Sequence, residues 1–190
     1  MLVRMAILAI GFTLSHSAFA QTIDFSISKD SAQFQLIETV KSDALKRTQY
    51  GVGLLYAERG PEETLMGNLG MQVSGLAGIE APGLTFGAGV EAFLIDIEQY
   101  SVSSITLHGL VRYAAPAFDR FAFTGEVYFG PSPVTFMDGK DFLMSVFRLS
   151  YEILPGTEVY AGFRKARTTI DGGPELTVEE GGNIGLRLSF

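Results

Sequence analysis

The sequence has no cysteine, few basic residues and no long apolar run after residue 20. Small secreted modules that are stapled by disulfides depend on cysteine pairs, so this class of protein is excluded. A membrane-spanning helix needs roughly 20 consecutive apolar residues, and residues 21–190 contain no such stretch. Helical membrane proteins are therefore excluded as well.

Acidic residues outnumber basic ones, with 21 Asp and Glu against 14 Lys and Arg and a formal net charge of −7. Nucleic acid attracts basic surfaces, so it is not an expected partner. The chain has only two histidines, and these show no spacing that is typical of metal ligands. We therefore predict no cofactor and no metal centre.

The first 20 residues have the three parts of a secretory signal peptide. Arg4 gives the positive start, Met5 to Leu14 form the apolar segment, and Ala18-Phe19-Ala20 is a small-x-small cleavage site. A membrane anchor is the alternative, but the apolar segment has about half of the roughly 20 residues that an anchor needs. We predict a signal peptide at 1–20 and a single domain at 21–190.

From residue 21 onward, apolar and polar residues alternate in almost every segment. At the end of the chain Ile184, Leu186, Leu188 and Phe190 are separated by small or polar residues. Successive side chains of a β-strand point to opposite faces, so this period of two predicts strands with one apolar face. The other alternating segments are 23–28, 33–36, 52–56, 65–74, 84–94, 105–113, 121–129, 147–153 and 158–164.

We predict an all-β fold, a transmembrane antiparallel up-and-down β-barrel with ten strands. An even number of strands places both termini on one side, which requires the chain to turn back near Lys29-Asp30. Eight strands are the alternative, if the first hairpin lies outside the wall. The segments Glu58 to Glu63, Gly130 to Asp141 and Ala166 to Gly181 predict longer loops on the side away from the termini.

Alternation alone does not decide which face of the barrel meets water. A soluble lipid-binding barrel has its apolar face inside, whereas a membrane barrel has it outside. The apolar face of this chain carries almost no charge, as contact with hydrocarbon requires, and the opposite face is rich in Gly, Ser, Thr and Gln. Together with the export signal, this favours the outer membrane of a Gram-negative cell, with a soluble periplasmic barrel as the alternative.

The C-terminal half resembles a known family. The segment Phe123-Thr124-Gly125-Glu126-Val127-Tyr128-Phe129-Gly130-Pro131-Ser132-Pro133 is similar to its signature strand and loop, and Val159-Tyr160-Ala161-Gly162-Phe163-Arg164 is similar to its next-to-last strand. Gly182 to Phe190 resembles its closing strand. From Phe121 onward the chain thus resembles the YfaZ-type outer-membrane proteins of Gram-negative bacteria. The resemblance implies a barrel without established chemistry, whose C-terminal Phe190 is recognised by the barrel-assembly machinery.

The inward face predicts a polar network that fills the lumen. Buried charges persist as pairs, so we expect ion pairs such as Glu126 with Arg164. A barrel of about eight to ten strands has little room for more than side chains and a few waters. The predicted function is therefore a structural or interaction role without enzyme activity, and a narrow channel for ions or small solutes is the alternative. The predicted network comprises Glu91, His108, Arg112, Glu126, Arg148, Glu152, Arg164 and Arg187, with Asp24 and Glu158 on the same face.

A lipid-modifying enzyme is a weaker alternative, because His108 is the single histidine after residue 20 and no Gly-x-Ser-x-Gly elbow, the motif of a catalytic serine, occurs.

The expected partners are outer-membrane lipids and lipopolysaccharide, whose phosphates Lys165 and Arg167 would contact. We expect a monomer. The acidic stretch Asp171 to Glu175, followed by Glu179-Glu180, offers calcium as a further alternative.

Overall fold

The computed structural model describes residues 20–43, 45–59, 62–78, 80–97, 99–118 and 120–190. The expected signal peptide lies outside the described residues, apart from Ala20, which begins the first strand. The helical segments within the described residues are two short 3-10 turns, at Pro116–Phe118 and Ser132–Val134. Among the residues described, no helix is long and apolar enough to cross a membrane.

Strands make up almost all of the described chain, as the alternation of polar and apolar residues predicts. They belong to one antiparallel sheet of 11 strands. The short strand β8 extends the edge of β6 beyond the point where β7 ends. The strands are β1 (Ala20–Ser28), β2 (Ser31–Ser42), β3 (Lys46–Arg59), β4 (Glu62–Leu76), β5 (Leu84–Ile97), β6 (Tyr100–Ala114), β7 (Phe121–Gly130), β8 (Thr135–Met137), β9 (Gly139–Leu154), β10 (Thr157–Ile170) and β11 (Glu175–Ser189).

The sheet closes into a barrel because its first and last strands are paired. β1 pairs with β11 from Thr22↔Ser189 to Ser28↔Asn183. Pairing of β5 with β6 completes the ring, and each wall strand lies beside its neighbours in the chain. The predicted antiparallel barrel of ten strands is therefore confirmed. The alternative of eight strands is wrong, because the first hairpin is part of the wall.

The two ends of the barrel differ in their connections. At the end that we call the terminal end, Gln21 and Phe190 exchange two backbone hydrogen bonds of 2.9 Å. The end of β2, the beginning of β3, the end of β4 and the turn 155–156 between β9 and β10 lie at this end. The opposite end, which we call the distal end, carries the connections 29–30, 131–138 and 171–174.

The prediction of long loops at the distal end is wrong, because strands continue through those segments. β10 runs to Ile170 and β11 begins at Glu175, so most of the expected loop is paired strand. In the segment Gly130 to Asp141, a 3-10 turn and β8 replace the loop. The polar residues that resemble a loop in sequence face outward here, while apolar residues between them pack inside.

The apolar residues predicted to face lipid point outward from every wall strand. Each strand contributes at least one large apolar side chain that is more than a third exposed. This orientation is the one required of a barrel in a membrane, where hydrocarbon surrounds the outer face. One representative from each wall strand is Phe25, Phe34, Leu54, Leu69, Phe86, Leu107, Phe123, Phe147, Phe163 and Ile184.

The polarity of the two faces is reversed toward the distal end. On β10 the outward residues change from Val159 and Phe163 to Lys165 and Arg167. The inward residues change at the same level from the charged Arg164 to Ala166 and Ile170, with the hydroxyl-bearing Thr168 buried between them. A polar outer surface around an apolar interior is the arrangement of a barrel in water. The wall therefore has one section suited to lipid and a distal section suited to water.

Candidate functional site

Apolar side chains fill the distal section of the lumen, and we call this layer the distal cap. Phe93 lies within it, with its ring centroid 4.8 Å from that of Phe142 and 5.7 Å from that of Tyr128. Leu55, Met66 and Phe142 have 0% of their surface exposed, so the cap closes the distal end of the lumen. Its members are Leu55, Ala57, Met66, Phe93, Ile95, Ile97, Val102, Phe142, Met144, Val146, Ala166, Ile170 and Val178.

Sequence reasoning missed the cap because it assigned one polarity to each face along a whole strand. A signal was present in the unbroken apolar run Ala92-Phe93-Leu94-Ile95, where alternation stops. Leu94 points outward and is 65% exposed, while its neighbours Phe93 and Ile95 are buried in the lumen. Such a run indicates a strand that is apolar on both faces, as occurs where lipid lies outside and a packed core lies inside.

Arg164 is the most buried charged residue of the lumen and lies next to the cap, with 1% of its surface exposed. Its guanidinium donates to Glu179 Oε2 at 2.8 Å and to Gln33 Oε1. Ser31 Oγ donates to the other oxygen of Glu179 at 2.5 Å. The expected pair of Glu126 with Arg164 is therefore wrong, because Arg164 is paired with Glu179.

Glu179 reaches the lumen because β11 contains a bulge. Ala166 pairs with Glu179 and Arg167 pairs with Thr177, which leaves Val178 as the extra residue. Val178 and Glu179 are consequently both buried, although they are adjacent in the chain. Their burial on the same side of the wall could not be predicted from alternation, which placed Glu179 in an outer acidic loop.

The middle of the lumen holds a connected set of ion pairs that we call the central network. Asp24 Oδ2 accepts hydrogen bonds from Arg187 Nε at 2.9 Å and Nη2 at 2.6 Å. Tyr160 donates its hydroxyl to Asp24 Oδ1, and Arg148 Nη1 lies 3.8 Å from Asp24 Oδ2. Arg148 also contacts Glu126 Oε1, at 3.4 Å. One arginine thus connects two carboxylates, and both contacts are made by its Nη1.

His108 lies beside this network and makes mainly stacking contacts. Its ring is parallel to that of Tyr128, with a centroid distance of 4.1 Å. Its Nε2 is 3.9 Å from Glu126 Oε2 and has no hydrogen-bond partner among the described residues. Tyr128 donates its hydroxyl to the same Glu126 oxygen at 2.7 Å. His108 Nε2 therefore activates no hydroxyl group in this arrangement.

The remaining predicted residues lie apart from the central network. Glu91 accepts a hydrogen bond from Asn68 at 2.5 Å. Arg112 pairs with Glu158 at 2.8 Å near the terminal end. Glu152 accepts a hydrogen bond from the backbone of Gly156 in the terminal turn, so it caps a turn instead of joining an ion-pair network.

A cavity of about 500 Å³ lies between the central network and the terminal end. It opens at the terminal end, because residues from the ends of several strands, such as Thr22, Lys46 and Ser189, line it. Glycines line it on β3 and β4, at Gly51, Gly70 and Gly75. The lumen is therefore open at the terminal end and closed by the distal cap.

Two ion pairs lie on the outer surface near the distal end. Lys165 lies 3.1 Å from Glu180, and Arg167 lies 3.2 Å from Glu175. Among the described residues, no group of three His, Asp or Glu side chains is arranged to hold a metal ion. The acidic stretch near residue 171 thus has two of its carboxylates in ion pairs and a third, Glu179, inside the barrel.

Comparisons with known proteins found similarity in solved structures alone. The NanC porin is 12% identical over 91% of this chain and 100% of its own, with a TM-score of 0.49. The KdgM porin is 10% identical over 90% and 99%, with a TM-score of 0.46. The OmpT outer-membrane protein of Vibrio cholerae is 11% identical over 89% and 64%, with a TM-score of 0.43. No family model and no curated protein matches the chain.

Proposed function

We propose that this protein is a small outer-membrane barrel with a non-catalytic structural or interaction role, whose lumen is open to the periplasm and closed to the exterior. The observation that carries the proposal is the distal cap, a fully buried apolar layer across the lumen of a barrel with an apolar outer face. Ions need a hydrated path, so a packed apolar layer opposes conduction.

The orientation in the membrane follows from the two sections of the wall. The polar outer surface near Lys165 and Glu180 belongs in water or among polar headgroups, and the apolar belt belongs in hydrocarbon. This arrangement supports an orientation with the terminal end and Phe190 in the periplasm, where the assembly machinery would recognise that residue.

The partners follow from the same location. Acyl chains cover the outer belt, and lipopolysaccharide surrounds the distal section. The resemblance of the C-terminal strands to YfaZ-type proteins supports membership in that family. A single barrel with a closed wall needs no second copy to pair its strand edges, so we propose a monomer.

Planar-bilayer recording of the refolded protein tests the closed lumen. We expect no discrete conductance steps from wild-type protein whose insertion is verified by heat-modifiable migration. Discrete steps at a unit conductance typical of a small pore would overturn the proposal in favour of the channel.

Cysteine labelling tests the orientation, since the chain has no native cysteine. Asp171→Cys lies in a distal turn and Glu80→Cys in a terminal one, and both positions are exposed. A large polyethylene-glycol maleimide added to whole cells should label Asp171→Cys, and it should label Glu80→Cys after the outer membrane is permeabilised. The reverse pattern contradicts the orientation.

A further inference from the structure

We infer that the lumen cavity binds a neutral, hydroxyl-rich small molecule, of the size of a mono- or disaccharide, that enters from the terminal end. The inference rests on the proposed function, because a lumen that is closed at one end is a pocket and not a passage. The cavity volume of about 500 Å³ is within the range of small-molecule sites.

Glycine residues make room for such a molecule on one wall. A Cβ built on Gly51 would meet no atom closer than 3.8 Å, so the absence of a side chain there leaves open space. Gly70 and Gly75 line the same cavity from β4. The opposite wall carries the bulky side chains Arg148 and Arg187. The lumen is therefore filled on one side and left open on the other.

Charged side chains deep in the cavity have polar partners within the protein, whereas Asp43, Lys46 and Arg47 line its terminal mouth. Arg112 is paired with Glu158, and Arg187 is paired with Asp24. Arg148 is held by two carboxylates, so an anionic ligand would have to compete with existing ion pairs. Glu91 is already bonded to Asn68, which disfavours a cationic ligand in the same way. A neutral ligand leaves all of these contacts in place.

The neutral polar groups of the lining have the chemistry that recognises hydroxyl groups. Carboxamides both donate and accept hydrogen bonds, and the serine and threonine hydroxyls do the same. A sugar hydroxyl also does both, so it can join such a surface at many points. These lining residues are Gln35, Gln49, Gln72, Ser74, Thr85 and Thr124.

Polar atoms at the floor of the cavity support the same conclusion. His108 Nε2, Arg148 Nε and Asn68 Oδ1 are buried and have no hydrogen-bond partner within the described residues. The side chains of His108 and Arg148 are 4% and 7% exposed, and all three residues line the cavity. Each of these atoms has less than 1 Å² exposed, so a ligand would reach it after the side chain turns, and Arg148 Nε would then offer a donor and Asn68 Oδ1 an acceptor.

Binding can be measured with the full processed chain folded in lauryldimethylamine oxide, a detergent without a sugar headgroup. The probe is trehalose, with sodium glucuronate and choline chloride as the anionic and cationic comparators, and binding is followed by saturation-transfer NMR and calorimetry. We expect saturable trehalose binding at millimolar concentration, and binding of either comparator that is at least tenfold weaker.

Two glycine variants locate the binding. Gly51→Leu puts a side chain into the cavity and should weaken trehalose binding at least tenfold. Gly109→Leu is the matched control, because Gly109 faces outward with no atom within 4 Å of a built Cβ, and its binding should equal that of wild type. Gln72→Leu, which removes one lining carboxamide, should weaken binding severalfold and serves as the test if Gly51→Leu does not fold.

Absence of trehalose binding, a comparator that binds as tightly as trehalose, or an equal loss in the lumen variants and Gly109→Leu would overturn the inference. Conductance of the same sample separates it from the proposed function. If the wild-type barrel conducts ions, the proposal of a closed lumen is refuted. If it does not conduct and binds no trehalose, the inferred class of ligand alone is refuted.

Discussion

Replacement of Arg164 by alanine should destabilise the barrel severely. Arg164 is 1% exposed, and its guanidinium donates to Glu179, Gln33 and Ser26. Its removal leaves the Glu179 carboxylate, itself 6% exposed, with the hydroxyl of Ser31 as its remaining polar partner. Breaking a buried ion pair by removing one partner costs about 3–5 kcal/mol, because the other charge remains desolvated.

The matched control is three residues away on the same strand. Arg167 pairs with Glu175, and these side chains are 41% and 53% exposed. Solvent screens such a pair, and its removal should cost about 0–1 kcal/mol. Arg164→Ala is thus expected to lower the free energy of unfolding by about 2–5 kcal/mol more than Arg167→Ala, because Arg164 is buried and Arg167 is exposed.

Urea unfolding in lipid vesicles, followed by circular dichroism and heat-modifiable migration, measures the two costs. Arg164→Met/Glu179→Met should recover most of the stability that Arg164→Ala loses, because no charge then stays buried beside the apolar cap. The reasoning is refuted if Arg164→Ala and Arg167→Ala unfold at the same urea concentration, or if the double variant is less stable than Arg164→Ala.

Two further substitutions test the packing of the lumen. Phe142→Ala removes a fully buried ring from the distal cap and should cost about 3–5 kcal/mol in urea unfolding, whereas a cost below about 1 kcal/mol would contradict a packed cap. Gly185→Leu places a side chain against the ring of Tyr160 and should prevent heat-modifiable folding, while Gly109→Leu should fold as wild type does. If both leucine variants fold equally well, the lumen beside Gly185 has room for a side chain, which contradicts the close contact between Gly185 and Tyr160.

The barrel could be predicted from sequence because its physical cause is local. The wall of a membrane barrel imposes one polarity on each face of a strand, so alternation in segments such as 84–94 predicts both the strand and its orientation. The turn near Lys29-Asp30 follows from the even number of strands that places both termini on one side of the membrane. The pairing of β1 with β11 is consistent with that turn.

The arrangement inside the lumen could not be predicted in the same way, because it depends on register. Glu179 enters the lumen through a bulge that shifts the pairing by one residue, and no local pattern marks that shift. The partner of Arg164 was consequently misassigned. Asp24 and Arg187 are 163 positions apart in the chain, and they meet because closure of the barrel brings β1 beside β11.

The reversal of polarity along the strands explains why the barrel has a cavity that is closed at one end instead of a pore that is open at both. Where lipid surrounds the wall, the interior can be polar, because the outer face supplies the apolar surface that membrane insertion requires. Where water surrounds the wall, the section needs an apolar interior to be stable, as any barrel in water does. The distal cap is therefore the core of the section that projects from the membrane, and it extends into the apolar belt, where Leu94 points outward beside the buried Phe93 and Ile95. Closure of the lumen follows from the stability of that section, and the open cavity remains where lipid makes an apolar core unnecessary.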